Sequence, residues 1–475
     1  MTDSLARMTL ADLSRAIRAR DVSPVEVTRA CLERIQRLDR VLNAFITVTA
    51  DRALEDARRA EAEILRGHWR GPLHGVPVAL KDIFATAGIR TTCGSRILRD
   101  WVPAADAAVV RRLAEAGAVL LGKLNMSEFA LAGIHPDYGP PRNPWDLSRF
   151  TGGSSSGSAA AVAAGLCFAS LGTDTGGSIR GPAAHCGIVG LKPTYGAVSR
   201  AGVIPLSWSL DHVGPMARTA EDAALLLEAI AGPDPDDPAT RIAPAPGSPE
   251  ATADRVARLR VGVVDAFWDP QDASPDFLDC VRSAVRILES VAAEVRDVRL
   301  PRTREVVPAW WTLCLAEAAA YHRTLLRRHL PDYSATVREL LLGGMAIPAW
   351  QYVQARRVQR RITRELAAVF AQVDVLVLPT MLREAPPAEA AAASGSWEPL
   401  RRRIQPVAPF NLTGLPAVSV PAGRTPAGLP VGVQIVGPHH ADRTVLAVAA
   451  ALQPAVPLPP PPIDRDIAPN GGDPP

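Results

Sequence analysis

The chain has 475 residues, nearly half of them apolar, which is enough for one large α/β enzyme or two to three average domains with a sizeable core. Its 52 Lys and Arg side chains nearly cancel its 49 Asp and Glu, which removes the electrostatic case for a nucleic-acid or anionic-membrane binder. No apolar run reaches the length of a membrane span, the N-terminal stretch has no apolar leader core, and the six cysteines form no CxxC pair, so the expectation is a reduced, cytoplasmic protein without a zinc or redox motif.

The first seventy residues read as helical. TLADLSRAIRAR, SPVEVTRACLERIQRLD and ADRALEDARRAEAEILRG carry apolar residues three and four apart, and Thr9 and Ser23 stand where N-caps belong. VPVALKD (76–82) and AVLLGKLN (118–125) are short apolar runs typical of buried strands, and DAAVVRRLAEAG between them reads as a helix ending at Gly117. SRFTGG, ahead of Ser154, reads as loop. A Pro- and Asp-rich stretch at 232–253 follows, with no apolar periodicity. Beyond it, strands are expected at 260–266, 373–380, 417–422 and 431–437, and amphipathic helices at 276–294, 303–328 and 350–372. This alternation implies an α/β sheet with helices on both faces. The basic runs RRVQRR (356–361) and RRR (401–403) read as solvated helix faces, and the Pro-rich tail 453–475 is expected to add nothing to the core.

The chemistry concentrates in TGGSSSGSAAAVAAGLCFASLGTDTGGSIRGP (151–182), which is crowded with Ser and Gly but holds no His or Lys and one acid, Asp174. Gly176-Gly177-Ser178 offers consecutive backbone N–H groups on a bare chain, the ingredients of an oxyanion hole beside its own nucleophile. The alanine-rich helix after Ser154 allows two Gly/Ser turns to pack closely. Lys81 ends an apolar strand, and a buried lysine loses its proton more readily, so it can supply the missing base. Two other matches point elsewhere. Gly117–Lys123 fits the opening of a phosphate-binding loop, but Leu124 stands where Ser or Thr should hold magnesium. Gly153–Gly157 matches the G-x-S-x-G elbow and, with His439-His440 downstream, keeps an α/β-hydrolase as an alternative.

GGSSSGSAAAVAAG and DTGGSIRGPAA resemble the signature of the amidase signature hydrolases, and GPLHGVPVALKD resembles their lysine strand. The likeness continues through AGAVLLGKLNMSEFA, GPPRNPWD, PFNLTGLPAVSVP and GLPVGVQIVG, covering about residues 5–452. It implies a three-layer α/β/α sandwich around a large mixed, twisted β-sheet. Residues 1–70 would be a helical segment packed on the core, 71–452 the signature domain with 232–253 as an excursion within it, and 453–475 a tail. The resemblance also implies Ser178 as nucleophile, Ser154 after a cis peptide bond as proton relay, and Lys81 as base. The N–H groups of Thr175, Gly176, Gly177 and Ser178 would form the oxyanion hole. Asp174 and Arg180 match supporting positions, and Ser155 is a bystander or structural donor. The reaction implied runs through an acyl-enzyme on Ser178 without metal or organic cofactor.

One branch of this family, the A subunit of glutamyl-tRNA amidotransferase, liberates ammonia from glutamine, and NAFITVT, TTC and NPWD resemble it. Gly181, however, stands where that branch usually carries Gln, and Ile404 stands where it has an acid for the glutamine amine. Met126, Tyr138 and Trp208, with Trp310, Trp311 and Trp350, are candidates for an apolar substrate pocket. These features favour a stand-alone monomer or homodimer that hydrolyses neutral, hydrophobic or aryl amides, carbamates (urethanes) or esters. Its partner would be a small-molecule substrate, with neither nucleic acid nor membrane involved. The glutamine-dependent branch is the alternative.

Overall fold

The computed structural model describes residues 5–241, 256–264, 273–301, 303–391 and 403–463. Its first helix, α1 (Leu10–Ala19), starts where Thr9 Oγ1 accepts from the Asp12 N–H. The second, α2 (Pro24–Leu42), starts where Ser23 Oγ accepts from Val25 and Glu26 and Pro24 takes the first turn. Both caps stand where the sequence places them. Leu10, Leu13 and Ile17 of α1 and Cys31, Ile35 and Leu38 of α2 form the buried stripe that fixes each helix on the core.

In chain order there follow β1 (Phe45–Val48), α3 (Ala50–Leu65), β2 (Pro77–Lys81), α4 (Ala108–Glu115), β3 (Val119–Leu124), β4 (Arg142–Asn143), β5 (Asp146–Phe150), α5 (Ser156–Ala163), β6 (Ala169–Asp174), α6 (Arg180–Cys186), β7 (Val189–Lys192), β8 (His212–Ala217) and α7 (Ala220–Ile230). The second half contributes β9 (Arg260–Val264), α8 (Pro275–Val291), β10 (Glu294–Val298), α9 (Thr303–His329), α10 (Ala335–Met345), α11 (Ala349–Phe370), β11 (Val375–Pro379), α12 (Ala408–Leu412), β12 (Ala417–Arg424), β13 (Pro430–Val436) and α13 (Asp442–Leu452).

Eleven strands form one mixed sheet in the order β1-β3-β2-β6-β8-β7-β12-β13-β11-β9-β10, while β4 and β5 pair separately. Pairing is parallel toward the two wings (β3-β2-β6 and β11-β9-β10) and antiparallel through the middle. Strands β2, β3, β6, β8, β11 and β13 are buried at every residue, so both faces of the sheet are covered, as the apolar runs of β2, β11 and β13 require. The fold is the expected α/β architecture around a large mixed sheet. The parallel pairing of β2 with β6 sets Val78 opposite Ala169 and Leu80 opposite Leu171. The C-terminal ends of these two strands therefore release their loops side by side, the usual place for a site in such a sheet.

Several local expectations are corrected. SRFTGG is not all loop, because Ser148, Arg149 and Phe150 belong to β5, with Phe150 paired to Arg142. β6 lies hidden in the small, polar ASLGTD, and the helix expected at 276–294 stops at Val291, with Glu294 already opening β10, which pairs in parallel with β9. In the tail, Ile463 is 1% exposed and joins the core, and 464–475 lie outside the described residues. Of the Pro- and Asp-rich stretch, 232–241 are described and Asp237 pairs with Arg200 at 2.8 Å, while 242–253 lie outside. Residues 265–266 of the strand expected at 260–266 also lie outside. Among the described residues no helix is long and apolar enough to cross a membrane.

Candidate active site

Lys81, the last residue of β2, is fully buried, and its Nζ donates to Ser154 Oγ and to Thr173 Oγ1, each at 2.7 Å. Burial pushes its pKa down to about 7, against the opposing pull of the Asp211 and Asp174 charges. Near neutral pH much of Lys81 is therefore an amine able to take a proton from Ser154. The Gly153–Ser154 peptide bond is cis, and the Ser154 carbonyl accepts from Ser127 N–H at 3.1 Å. Ser155 ties the two loops together. Its N–H donates to the Ser178 carbonyl at 3.2 Å, and its hydroxyl accepts from Thr173 N–H and donates to Thr173 O, each at 3.3 Å.

Ser178 sits half-buried in the turn from β6 to α6. Asp174 organises that turn. Its Oδ1 accepts from Gly177 N–H at 2.7 Å, and its Oδ2 accepts from Ile179 N–H at 3.1 Å and Arg180 N–H at 3.3 Å. Arg180, fully buried, closes on both carboxylate oxygens at 3.0 and 2.9 Å and reaches Gln434 and Asn411 at 2.6 Å. Burial alone would raise the Asp174 pKa, but the Arg180 guanidinium outweighs it and holds the carboxyl well below the usual carboxylate range. Gly177 has φ +104, and a Cβ there would meet Val407 at 2.5 Å, so only glycine suits that turn. Thr175 Oγ1 donates to Asp211 at 2.6 Å, and the Thr175 carbonyl accepts from Trp310 Nε1 at 2.7 Å. Burial pushes Asp211 up to about 6.

Breaking the Asp174–Arg180 pair with Asp174→Ala is expected to cost about 3–5 kcal/mol, because it leaves an uncompensated buried guanidinium. Denaturant unfolding of the variant checks this. An unchanged midpoint would contradict it.

The two loops floor a cavity of about 930 Å³ lined by Ser154, Thr175, Gly176, Gly177 and Ser178, with Trp310 and Trp311 among its apolar walls. The structure thus brings Lys81, Ser154 and Ser178 to one place, with Asp174 and Arg180 beneath them. One part of the expected oxyanion hole is corrected: the Gly177 N–H is engaged by Asp174, which leaves the N–H groups of Thr175, Gly176 and Ser178. Three expected pocket residues are not in its lining. Met126 is fully buried in the core, Tyr138 donates from its hydroxyl to the Ser95 carbonyl at 3.1 Å, and Trp208 is 47% exposed. Trp350 is 68% exposed on α11. Arg403, expected on a solvated helix face, lines the cavity instead, as does His185.

Both competing motifs dissolve. Residues 119–124 are strand, and Lys123 is buried with its Nζ 3.2 Å from Asp82 and donating to Phe84 O at 2.7 Å. Ser155, the centre of the apparent elbow, is fully buried, and neither His439 nor His440 lines the cavity. Among the described residues no group of three His, Cys, Asp or Glu could hold a metal ion.

The family model described as Amidase matches residues 26–446. The A subunit of glutamyl-tRNA(Gln) amidotransferase from Geobacter sp. strain M21 is 42% identical, with 94% of this chain and 96% of that protein covered. The native peptide amidase of Stenotrophomonas maltophilia superposes with a TM-score of 0.85 at 34% identity, covering 96% of this chain and 99% of that one. A protein of a vestigial complex tied to the evolutionary origins of an s-triazine catabolic enzyme superposes at 0.88 and 34% identity, covering 94% and 98%. The likeness to the amidotransferase protein along nearly the whole chain overturns the expectation of a stand-alone hydrolase of neutral amides and carbamates. It also overturns the expectation of a monomer or homodimer without nucleic-acid involvement, since those relatives are named as subunits of an enzyme acting on glutamyl-tRNA(Gln).

Proposed function

The chain belongs to the amidase family of enzymes acting on carbon–nitrogen bonds, and we propose that it releases ammonia from glutamine as the glutaminase component of an amidotransferase serving glutamyl-tRNA(Gln). The observation that carries the chemistry is the buried Lys81–Ser154 contact at 2.7 Å beside Ser178. The likeness to the amidotransferase relatives carries the substrate. Asp276 and Glu384 line the same cavity, so carboxylates are at hand for the glutamine ammonium although Ile404 is apolar. Leu342, Met345, Trp350 and Val353, all exposed near the turn from α10 to α11, leave apolar surface of the kind a protein partner covers. A cytoplasmic setting goes with a tRNA-linked role.

In this scheme Ser178 Oγ attacks the side-chain amide carbon of glutamine. Its proton moves to Ser154, whose own proton passes to neutral Lys81. The oxyanion rests on the N–H groups of Thr175, Gly176 and Ser178. Collapse breaks the C–N bond, and the proton returns from Lys81 through Ser154 to the leaving nitrogen, releasing ammonia and leaving a γ-glutamyl ester on Ser178. Water, deprotonated through the same relay, attacks the ester and frees glutamate.

Ammonia and glutamate formation from glutamine, set against a neutral aliphatic amide and an aryl carbamate, tests the substrate. It is measured with the chain alone and with the other amidotransferase subunits and glutamylated tRNA(Gln). Glutamine is expected to lead by at least about tenfold in kcat/KM. A neutral amide or carbamate ahead of glutamine in both settings would overturn the assignment.

The pH profile follows from Lys81. Its neutral form is the active one, and it is protonated as pH falls through about 7. The expected kcat/KM falls about tenfold per pH unit below that value and levels off above it. A plateau reaching below pH 6 would remove the lysine from the base role.

A further inference from the structure

Trp310, on α9, stands in the wall of the cavity that holds Ser178 and is almost fully buried. An apolar wall needs the ring but not its N–H. That N–H donates to the Thr175 carbonyl at 2.7 Å, across 135 residues of chain. A buried indole usually finds some acceptor, so the contact takes its meaning from the peptide it holds. The Thr175–Gly176 peptide is trans, since the one cis bond among the described residues is Gly153–Ser154. In a planar trans peptide the carbonyl and the following N–H point in opposite directions. Trp310 therefore fixes the direction of the Gly176 N–H, which has no acceptor among the described residues.

The N–H groups on either side are set in the same manner. The Asp174 carbonyl accepts from Asn411 Nδ2 at 2.8 Å, which sets the Thr175 N–H. The Gly177 carbonyl accepts from Gly181 N–H at 2.7 Å, which sets the Ser178 N–H. Gly176 is shaped to the indole, because a Cβ there would stand 2.3 Å from Trp310 Cζ2 and 2.8 Å from Cε2. The rest of the loop is anchored independently of Trp310. Thr175 Oγ1 donates to Asp211, and Asp174 holds the Gly177 N–H. Removing the indole N–H therefore releases the tilt of one peptide and leaves the loop in place.

We propose that Trp310 is a positioning residue of the oxyanion hole, which holds the Thr175 carbonyl so that the Gly176 N–H is aimed at the oxyanion formed when Ser178 attacks the amide. It acts through Gly176 and not on the reacting atoms. An oxyanion accepts more strongly than the carbonyl it comes from, so a misaimed donor weighs on the transition state more than on substrate binding. The proposal rests on Ser178 as nucleophile but not on glutamine, since the same charge develops on any acyl oxygen.

Trp310→Phe keeps an aromatic wall and removes the N–H. Its kcat for glutamine is expected to fall about 10- to 100-fold, less than the roughly 10²–10³ lost with an oxyanion donor itself, while KM changes by less than about threefold. A role confined to the wall would raise KM at constant kcat. The deciding readout is the ratio of Ser178 labelling rates by a fluorophosphonate and by the matching fluorophosphonothioate, in which sulfur takes the place of the oxygen seated on the N–H groups. Sulfur accepts such bonds poorly, so the wild-type chain should prefer the oxygen probe, and Trp310→Phe should narrow that preference at least about fivefold. Replacing Trp310 by 3-benzothienylalanine, which puts sulfur where the indole has N–H and keeps the ring outline, should narrow it likewise and guards against a packing defect. A ratio unchanged in the benzothienyl protein overturns the positioning role, even if kcat falls. The ratio needs no cleavable substrate, so it is scored apart from glutamine turnover. A wild-type chain that does not label at Ser178 removes the nucleophile, and the role of Trp310 with it.

Discussion

Ser178→Ala is expected to lower kcat for amide cleavage by about 10⁶-fold, the scale on which loss of the nucleophile removes acyl transfer. The neighbouring hydroxyls cannot substitute. Ser155 is fully buried with its oxygen held between the N–H and carbonyl of Thr173, and Ser154 is committed to Lys81. The side chain removed is half-exposed on the cavity floor, so folding should survive. Ammonia release under single-turnover conditions, with matched thermal unfolding, measures both. Residual activity within about tenfold of wild type would show that another group attacks the amide.

Lys81→Ala is expected to cost roughly 10⁴-fold in kcat, because without the buried amine the proton of Ser178 has no destination. Ser154→Ala should cost a similar factor, and the double variant no more than the worse single one, since the two act as one relay. The geometry behind this is the pair of 2.7 Å contacts from Lys81 Nζ, to Ser154 and to Thr173. Multiplying losses in the double variant would mean that the two residues work independently. Ser155→Ala, which removes the hydroxyl contacts to Thr173 of β6 but keeps the backbone N–H on the Ser178 carbonyl, should lose much less.

Much of this site was legible because its chemistry is local. Gly176-Gly177-Ser178 and the Lys81 strand end can be read from short segments, since backbone donors on bare glycines and a lysine closing an apolar run each have a physical meaning on their own. What brings them together is not local. Lys81 and Ser154 lie 73 residues apart, and their contact depends on β2 and β6 pairing in parallel. β6 itself was hidden because ASLGTD is small and polar, and its burial comes from the sheet and not from its composition. Long-range placement also decides which tryptophans line the cavity. Trp310 reaches the Thr175 carbonyl from α9, whereas Trp208 stays 47% exposed although it lies nearer to Ser178 in sequence. Arg403 and His185 carried no signal, since a basic run and a single histidine look the same in sequence whether they face water or a cavity.

Gly181 and Ile404 mislead about the branch for a related reason. They count against glutamine only if each expected side chain has to come from its own position. In the structure Met381 Sδ lies 3.3 Å from where a Cβ on Gly181 would stand, and Asp276 and Glu384 bring carboxylates into the cavity from other loops. Two positions therefore say less about substrate than likeness along 94% of the chain.

Rapid acid quenching during the first turnover of glutamine, followed by peptide mass mapping, shows which side chain carries the acyl group. A γ-glutamyl ester is expected on the peptide carrying Ser178, formed as ammonia appears and lost as glutamate appears. Ammonia release with that peptide unmodified throughout, or with the acyl group on Ser154 or Ser155, would contradict it.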